Sequence, residues 1–493
     1  MKDRLVIVSN RLPIQLEKVD DHYQVVPGSG GLVTALKRIV CQNDSVWIGW
    51  PGCDESDAAL QAFQQYHDSG TGIQLEPVFL SEVEARQFYS GFSNEIVWPL
   101  FHDLQSRCNF DPAYWDAYQR VNARFAQRIS NLIRASDLIW VHDYHLLEVA
   151  RYLRRGDLRS RILFFHHIPF PAPDIFEKLP WRSQILSAML NYDVVGFQTA
   201  RDRRNFLNCL PMLNAKVPVY YRGQNHVLKF EGREVKVGNY PIGIDFSDFA
   251  IGASQKEIED KAEEIRQTLG GRRIILGIDR MDYTKGIPER LLAFCEFLRL
   301  NPEMLKRVTL LQVAVPSRGT IPKYQELKLE IESLVSTING EFTEPGWVPI
   351  HYIHRSLTRN ELLAYYRAAE VALVTPLKDG MNLVAKEFCA CKLKNDGVLI
   401  LSEFAGAAAE SRKGALLVNP YHVREVAEAI DRALRMDTTE RAGRMRQLRR
   451  QFRRNDVFRW ARHFVRTAQV CEPLRIMPQE VEEDPLVFAA SAS

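Results

Sequence analysis

Short apolar runs rich in β-branched residues punctuate this chain, separated by stretches of helical spacing. The first series is Leu5–Val8, Val46–Trp50, Leu138–Val141, Ile162–Phe165 and Val194–Phe197. A second comprises Ile274–Ile278, Val308–Val313, Ile350–Ile353, Val371–Val374 and Val398–Leu401. Runs that stay apolar at consecutive positions belong to strands covered on both faces, and helix-length connections between them suit parallel pairing. The pattern predicts an α/β chain of two Rossmann-like, doubly wound domains facing across a cleft. A ligand in such a cleft meets the carboxyl ends of the strands.

The two series meet at Tyr240-Pro241-Ile242-Gly243-Ile244-Asp245, followed by the charged helical stretch Gln255–Leu269. Proline and glycine at that point read as an interdomain linker. The expected division is an N-terminal domain at 1–242, a C-terminal domain at 243–455, a helix at 456–472 packing back on the first domain, and a disordered tail at 473–493. The tail carries acids, prolines and small residues, which cannot build a core. Val217–Tyr221 and His226–Glu231 flank Arg222-Gly223-Gln224-Asn225, a hairpin pattern inserted in the first domain. From Arg432 to Arg466 arginines surround Leu434, Met445, Leu448, Phe452, Phe458 and Phe464, as in an amphipathic helix pair with a solvated basic face. An anionic-polymer site is the alternative there.

Composition narrows the function. A chain of 493 residues exceeds one ordinary core, and a net charge of +3 creates no global field for nucleic acid. The first apolar run stops at Ser9-Asn10-Arg11, too soon for a signal peptide. No apolar stretch reaches the ~18 residues a membrane span needs. Eight cysteines without a framework of spacings fit reduced thiols in the cytoplasm. His142, His145, His166 and His167 come in pairs with no evident third ligand, and there is no D-x-D motif, so no metal is expected.

Three loops carry candidate chemistry. Thr375-Pro376-Leu377-Lys378-Asp379-Gly380-Met381-Asn382-Leu383-Val384-Ala385-Lys386-Glu387 follows a strand and opens a helix, whose free N–H groups and dipole suit an anion. Asp379 can accept from sugar hydroxyls and Glu387 can reach a ribose diol; equally, Asp379 and Asn382 can serve as helix caps. Asp279-Arg280-Met281-Asp282-Tyr283-Thr284-Lys285-Gly286 holds two cations, Arg280 and Lys285, that suit a departing diphosphate, or an exposed salt-bridge loop. Gly28-Ser29-Gly30-Gly31-Leu32, ahead of a helix at Val33–Ile39, permits close backbone approach to a phosphate or marks an ordinary turn. Arg11, Trp50, Tyr89, Trp98, Asp143 and His167 sit at or near strand ends. Aromatic rings, an arginine and a carboxylate there suit a sugar phosphate.

These segments stand in order with others: Ser9-Asn10-Arg11-Leu12-Pro13, Phe92-Ser93-Asn94, Trp140-Val141-His142-Asp143-Tyr144-His145, His167-Ile168-Pro169-Phe170-Pro171, Gly196-Phe197-Gln198-Thr199 and Pro316-Ser317-Arg318-Gly319. Together they make the chain resemble the trehalose-6-phosphate synthases, retaining glycosyltransferases of family 20 with the GT-B fold. The resemblance runs from the first strand to about Arg466.

That resemblance implies transfer of glucose from a nucleotide-glucose, UDP-glucose or its GDP or ADP counterpart, to glucose 6-phosphate. Arg280, Lys285, His167 and Asp379 would carry the transfer. Arg280 and Lys285 would hold the diphosphate, Glu387 the ribose, and backbone near Leu357 the base. The stretch Asp379, Gly380, Met381, Asn382, Leu383, Val384, Ala385, Lys386 would surround the donor, with Gly30 and Gly31 approaching phosphate. Arg11, Trp50, Tyr89, Trp98, Asp143 and Arg318 would enclose the acceptor. No cofactor or metal is implied. The implied setting is trehalose synthesis in the cytoplasm, in osmoprotection and stress response, by a homo-oligomer with a separate phosphatase downstream. No phosphatase-like module follows in this chain. Asp279 and Lys378 replace a glutamate and an arginine common in the family, and Ile14–Pro27 is longer than in compact members. The alternatives are a glucosylglycerol-phosphate synthase using glycerol 3-phosphate and an inert sugar-phosphate-binding homologue.

Overall fold

The structure, a computed structural model, describes residues 4–19, 22–28, 36, 45–68, 74–156, 158, 160–213, 215–222, 225–317 and 321–469. Of the expected helix at 33–39 only Leu36 is described, as helical; Gly30, Gly31, Arg318 and the tail at 473–493 lie outside the described residues.

Among these residues the N-terminal sheet runs, edge to edge, Gln74–Pro77, Ser45–Trp50, Leu5–Arg11, Leu138–His142, Arg161–Phe165, Val194–Phe197, Arg233–Asn239, Asn225–Phe230 and Val219–Arg222. Pairing is parallel as far as Arg233–Asn239 and antiparallel beyond it. The C-terminal sheet is parallel throughout: Ile350–Ile353, Val308–Val315, Arg273–Arg280, Val371–Val374, Val398–Ser402 and Leu416–Val418. In both sheets the first strand lies inside, with later strands added to either side. Strand order therefore reverses between Leu5–Arg11 and Leu138–His142, and again between Arg273–Arg280 and Val371–Val374. Loops leaving the two strands at such a reversal diverge to opposite faces and open a crevice at the carboxyl ends.

The strands form where the apolar runs require. Leu5–Asn10 and Val398–Ser402 are buried at every position, so each is covered on both faces. Five short or mixed strands escaped the sequence pattern, Ile14–Val19 and His22–Pro27 among them. Gln74–Pro77 and Leu416–Val418 are edge strands too short to show a period, and Arg233–Asn239 alternates polar and apolar residues. The hairpin at 219–230 is present and extends the sheet through Arg233–Asn239. Ile14–Val19 and His22–Pro27 form a separate antiparallel hairpin packed on the helix Asp57–Asp68.

The arginine-rich stretch forms Thr438–Arg454, started by Asp437 accepting from the N–H groups of Thr439 and Glu440, and Val457–Gln469. Val457–Gln469 lies on the N-terminal sheet. Trp460 and Phe464 pack on Trp140, with ring centroids 5.1 and 5.3 Å away, and both cross Phe165 edge-on. Gly196 leaves room for the Phe464 ring, which any Cβ there would strike. The two chain crossings are tied together, because Val457 N–H donates to Ile244 O at 3.1 Å. No described helix is long and apolar enough to cross a membrane.

Candidate active site

The strand Arg273–Arg280 delivers Arg280 to the crevice, and the chain then turns tightly. Asp282 accepts from Thr284 N–H at 3.0 Å and Thr284 Oγ1 at 2.9 Å, fixing the turn Tyr283–Lys285. Gly286, at φ 63°, admits the left-handed step into the helix Ile287–Leu300, where its missing Cβ would meet Thr375 O. This geometry buries Lys285 and aims its ammonium at Asp379 Oδ2, 2.5 Å away. Arg280 stays exposed, its guanidinium 5.8 Å from the centre of the Trp98 ring. Asp279 points the other way: it is buried and paired with Arg290 at 2.6 Å, so it braces the loop from behind.

The opposite loop follows Val371–Val374. Asn382 caps the helix Leu383–Cys391, accepting from Ala385 N–H at 3.3 Å, and donates to Asp379 Oδ2 at 3.2 Å. Met381 N–H donates to Asp379 Oδ1 at 3.3 Å. Asp379 is thus a scaffold for the loop as well as a partner for Lys285. Burial, the largest influence, pushes its carboxyl up, but the Lys285 ammonium with its hydrogen bond and the Met381 N–H together hold it below its ordinary value. Gly380 passes directly against His167 O and Ile168, where a Cβ has no space. The second half of the chain therefore touches the first at the donor loop.

Not every residue of this segment faces the crevice. Leu383 and Val384 are half-buried at the helix start, whereas Ala385 and Lys386 are buried. Lys386 is turned away, its Nζ 2.8 Å from Ile242 O and 2.5 Å from Glu410 Oε2. Its side chain is engaged by these partners and does not line the crevice. Glu387, one step on, accepts from Tyr366 Oη at 2.8 Å; burial raises its pKa, with Tyr366 opposing. Leu357 is half-buried between Ile350–Ile353 and the helix Arg359–Ala368, whose start is a capping box of Thr358 and Glu361.

The residues expected around an acceptor come from the other sheet and the segments that follow its strands. Arg11 pairs in register with Trp50 across adjacent strands, and its guanidinium carbon lies 3.8 Å from the Trp50 ring centre and 5.4 Å from that of Tyr89. Asp143, at φ 73°, follows Leu138–His142 and accepts from His167 N–H at 3.2 Å. Trp98 joins the two sides: its Nε1 donates to Asp282 Oδ1 at 3.4 Å. Tyr324 Oη also donates to Asp282, at 3.3 Å.

Some residues here were missed by the sequence reading. His102 is buried under Trp98, its Nδ1 2.7 Å from Trp98 O, and Asp282, Lys285 and Asp379 act on its ring. Burial lowers it to about 3, so it is neutral. Asp103 pairs with Lys378 at 2.6 Å. Neither His102 nor Asp103 stands in a motif of its own, and each gains its place only from a partner distant in the chain or from packing under a ring. His142, read as structural, contacts His167 with its Nδ1 3.1 Å from His167 Nε2. Among the described residues no group of three metal-ligating side chains occurs.

The crevice thus offers cations and a helix start on one wall, and an arginine sandwiched by aromatics on the other. It can neutralise a leaving phosphate and hold a sugar phosphate beside it. The chain is similar to known proteins. Residues 3–470 match the family model described as Glycosyltransferase family 20. The trehalose-6-phosphate synthase of Mycolicibacterium gilvum is 42% identical over 488 residues, covering 96% of this chain and 95% of the relative. The UDP-forming alpha,alpha-trehalose-phosphate synthase of Candida albicans is 38% identical over 479 residues, covering 96% and 98%. Among solved structures, the Burkholderia xenovorans UDP-forming synthase in complex with glucose-6-phosphate superposes with a TM-score of 0.85 at 36% identity, covering 95% of this chain and 100% of that one. The E. coli protein bound with UDP-2-fluoro glucose also gives 0.85 at 36%, covering 96% and 100%. With the two doubly wound sheets, these likenesses make the fold GT-B, and the chain belongs to glycosyltransferase family 20.

Proposed function

We propose that this chain transfers glucose from UDP-glucose to glucose 6-phosphate with retention, giving α,α-trehalose 6-phosphate and UDP. One observation carries the reading: Lys285 paired with Asp379 stands with Arg280, which meets Trp98 of the N-terminal half, while Arg11 of that half is stacked against Trp50 and Tyr89, so cations suited to a nucleotide-sugar and a slot suited to a sugar phosphate come from the two halves. Relatives named as UDP-forming, and neighbours bound with glucose-6-phosphate and a UDP-glucose analogue, support the choice of substrates.

Arg280 and Lys285 neutralise the departing diphosphate, and Glu387 holds the ribose. Asp379 and the backbone from Gly380 to Leu383 hold the glucose, with His167 beside it. Arg11 takes the acceptor phosphate while Trp50, Tyr89, Trp98 and Asp143 enclose its ring. The acceptor hydroxyl attacks the face the nucleotide leaves, and a leaving-phosphate oxygen takes its proton. That route needs fixed positive charge and no protein nucleophile. The reading requires no metal, because the two cations supply the charge. It also assigns 1–242 to the acceptor and 243–455 to the donor, a homo-oligomeric state, and a separate phosphatase that consumes the product.

Nucleotide release measured with UDP-, GDP- and ADP-glucose, each against glucose 6-phosphate and glycerol 3-phosphate, tests the reading. Turnover with UDP-glucose and glucose 6-phosphate is expected. Release only with glycerol 3-phosphate overturns the acceptor.

A further inference from the structure

His142, buried and so far without a role in the transfer, pairs with the half-buried His167. Nδ1 of His142 lies 3.1 Å from Nε2 of His167, with the rings inclined by 29°. Burial keeps both neutral at physiological pH, lowering His167 to about 3 and His142 well below its ordinary value. One proton therefore lies between the two nitrogens. If His167 supplied it, His142 would carry its own proton on Nε2. That atom is fully buried and has no hydrogen-bond partner among the described residues. A bare lone pair is the cheaper orphan there, because buried N–H groups without acceptors are rare. His142 must then be the donor, through Nδ1. His167 Nε2 accepts, and a neutral imidazole with a bare Nε2 carries its proton on Nδ1.

His167 cannot easily turn to reverse this. Its main-chain N–H is held by Asp143 at 3.2 Å, and its ring packs on Phe165 at 4.7 Å and Trp460 at 6.2 Å. Its Nδ1 has no hydrogen-bond partner among the described residues. We propose that His142 is a positioning residue that locks His167 in the Nδ1–H tautomer, so that His167 serves the donor glucose as a hydrogen-bond donor. The second half of this statement rests on the reading that His167 lies beside that sugar. With Nε2 engaged, His167 does not act as the base for the acceptor hydroxyl, which leaves that proton to the departing phosphate.

Two measurements test this. The first is long-range 1H–15N correlation on the whole enzyme labelled at its 12 histidines, with His167 assigned by the signal lost in His167→Gln. A protonated Nδ1 and bare Nε2 on His167 are expected, and the reverse pattern overturns the proposal even if every His142 variant misfolds. The second compares His142→Asn, which keeps an N–H near the Nδ1 position, with His142→Asp, which replaces it with an acceptor and draws the His167 proton to Nε2. His142→Asn should stay within about threefold of wild-type kcat/KM for UDP-glucose, and His142→Asp should lose about a hundredfold, the scale of one preorganised donor. In a His167→Gln background the two should no longer differ. Equal losses in both variants and both backgrounds indicate a packing role and overturn the proposal. Unchanged donor kinetics in His167→Gln itself overturns the placement of His167 at the sugar, while the tautomer remains decided by the spectrum.

Discussion

Lys285 Nζ sits 2.5 Å from Asp379 Oδ2, although the two residues are 94 positions apart in the chain. Each leaves one of the two strands at which the C-terminal sheet reverses its order. The pair holds the ammonium in place before any phosphate arrives, so little reorganisation remains at the moment of transfer. It also fastens two loops that meet in addition through contacts such as Leu377 N–H to Thr284 O at 2.8 Å.

Lys285→Ala should reduce kcat by about a hundredfold to a thousandfold, as expected for loss of a charge that acts on the leaving group. The fold should survive by circular dichroism, with a stability loss of up to about 3–5 kcal/mol from the uncompensated Asp379 carboxylate. Turnover near the wild-type rate would remove Lys285 from the donor wall.

Asp379 also links stability to pH. Its folded pKa is lowered, so its contribution is fully present above the ordinary carboxylate value near ~3.9 and is lost as pH falls through the lower folded value. Melting temperatures recorded down through that window should converge between wild type and Asp379→Asn as pH falls. A gap that stays constant across the window contradicts the assignment.

The sequence pattern located the site loops because their strands are apolar runs with clear ends: Ile274–Ile278 points directly to Arg280, and Val371–Val374 to Asp379. It could not locate partners brought in by tertiary packing. Trp98 meets Asp282 across 184 positions, and no local period reports such a distance. His102, one helical turn beyond Trp98, carried no signal of its own because its identity matters only under that ring. Within 379–387 the sequence alone does not tell side chains that line the crevice from those turned away. A helix turns about 100° per residue, so neighbours such as Lys386 and Glu387 face different surroundings.

That difference gives a contrast of phenotypes. Lys386→Met should cost about 3–5 kcal/mol in urea unfolding, since Glu410 is left buried without its cation. The donor KM of the folded enzyme should stay unchanged. A raised donor KM with normal stability would return Lys386 to the donor wall.

Tyr366→Phe should do the opposite. The Tyr366 hydroxyl donates to Glu387 Oε2 at 2.8 Å and opposes the upward push of burial. Without it Glu387 titrates higher and loses its fixed rotamer. The donor KM should rise by about tenfold, the scale of a hydrogen bond to a charged group. The increase should shrink with a 2′-deoxyribose donor, which lacks a hydroxyl for Glu387 to hold. An equal increase with both donors would separate Tyr366 from ribose binding.

Arg11→Lys tests the acceptor wall at constant charge. The guanidinium plane lies over Trp50 and beside Tyr89, and Gly52, at φ 106°, clears space for its Nη1. A lysine ammonium cannot stack in that slot or offer two parallel N–H groups to a phosphate. Loss of the stacking alone is worth about 0.5–2 kcal/mol, and loss of the bidentate contact adds to it. KM for glucose 6-phosphate should therefore rise by about tenfold or more, while KM for UDP-glucose stays level because Lys285 and Arg280 are untouched. Separate titration of each substrate at saturation of the other reads the two constants. A rise confined to UDP-glucose would place Arg11 on the donor side and reverse the assignment of the two walls.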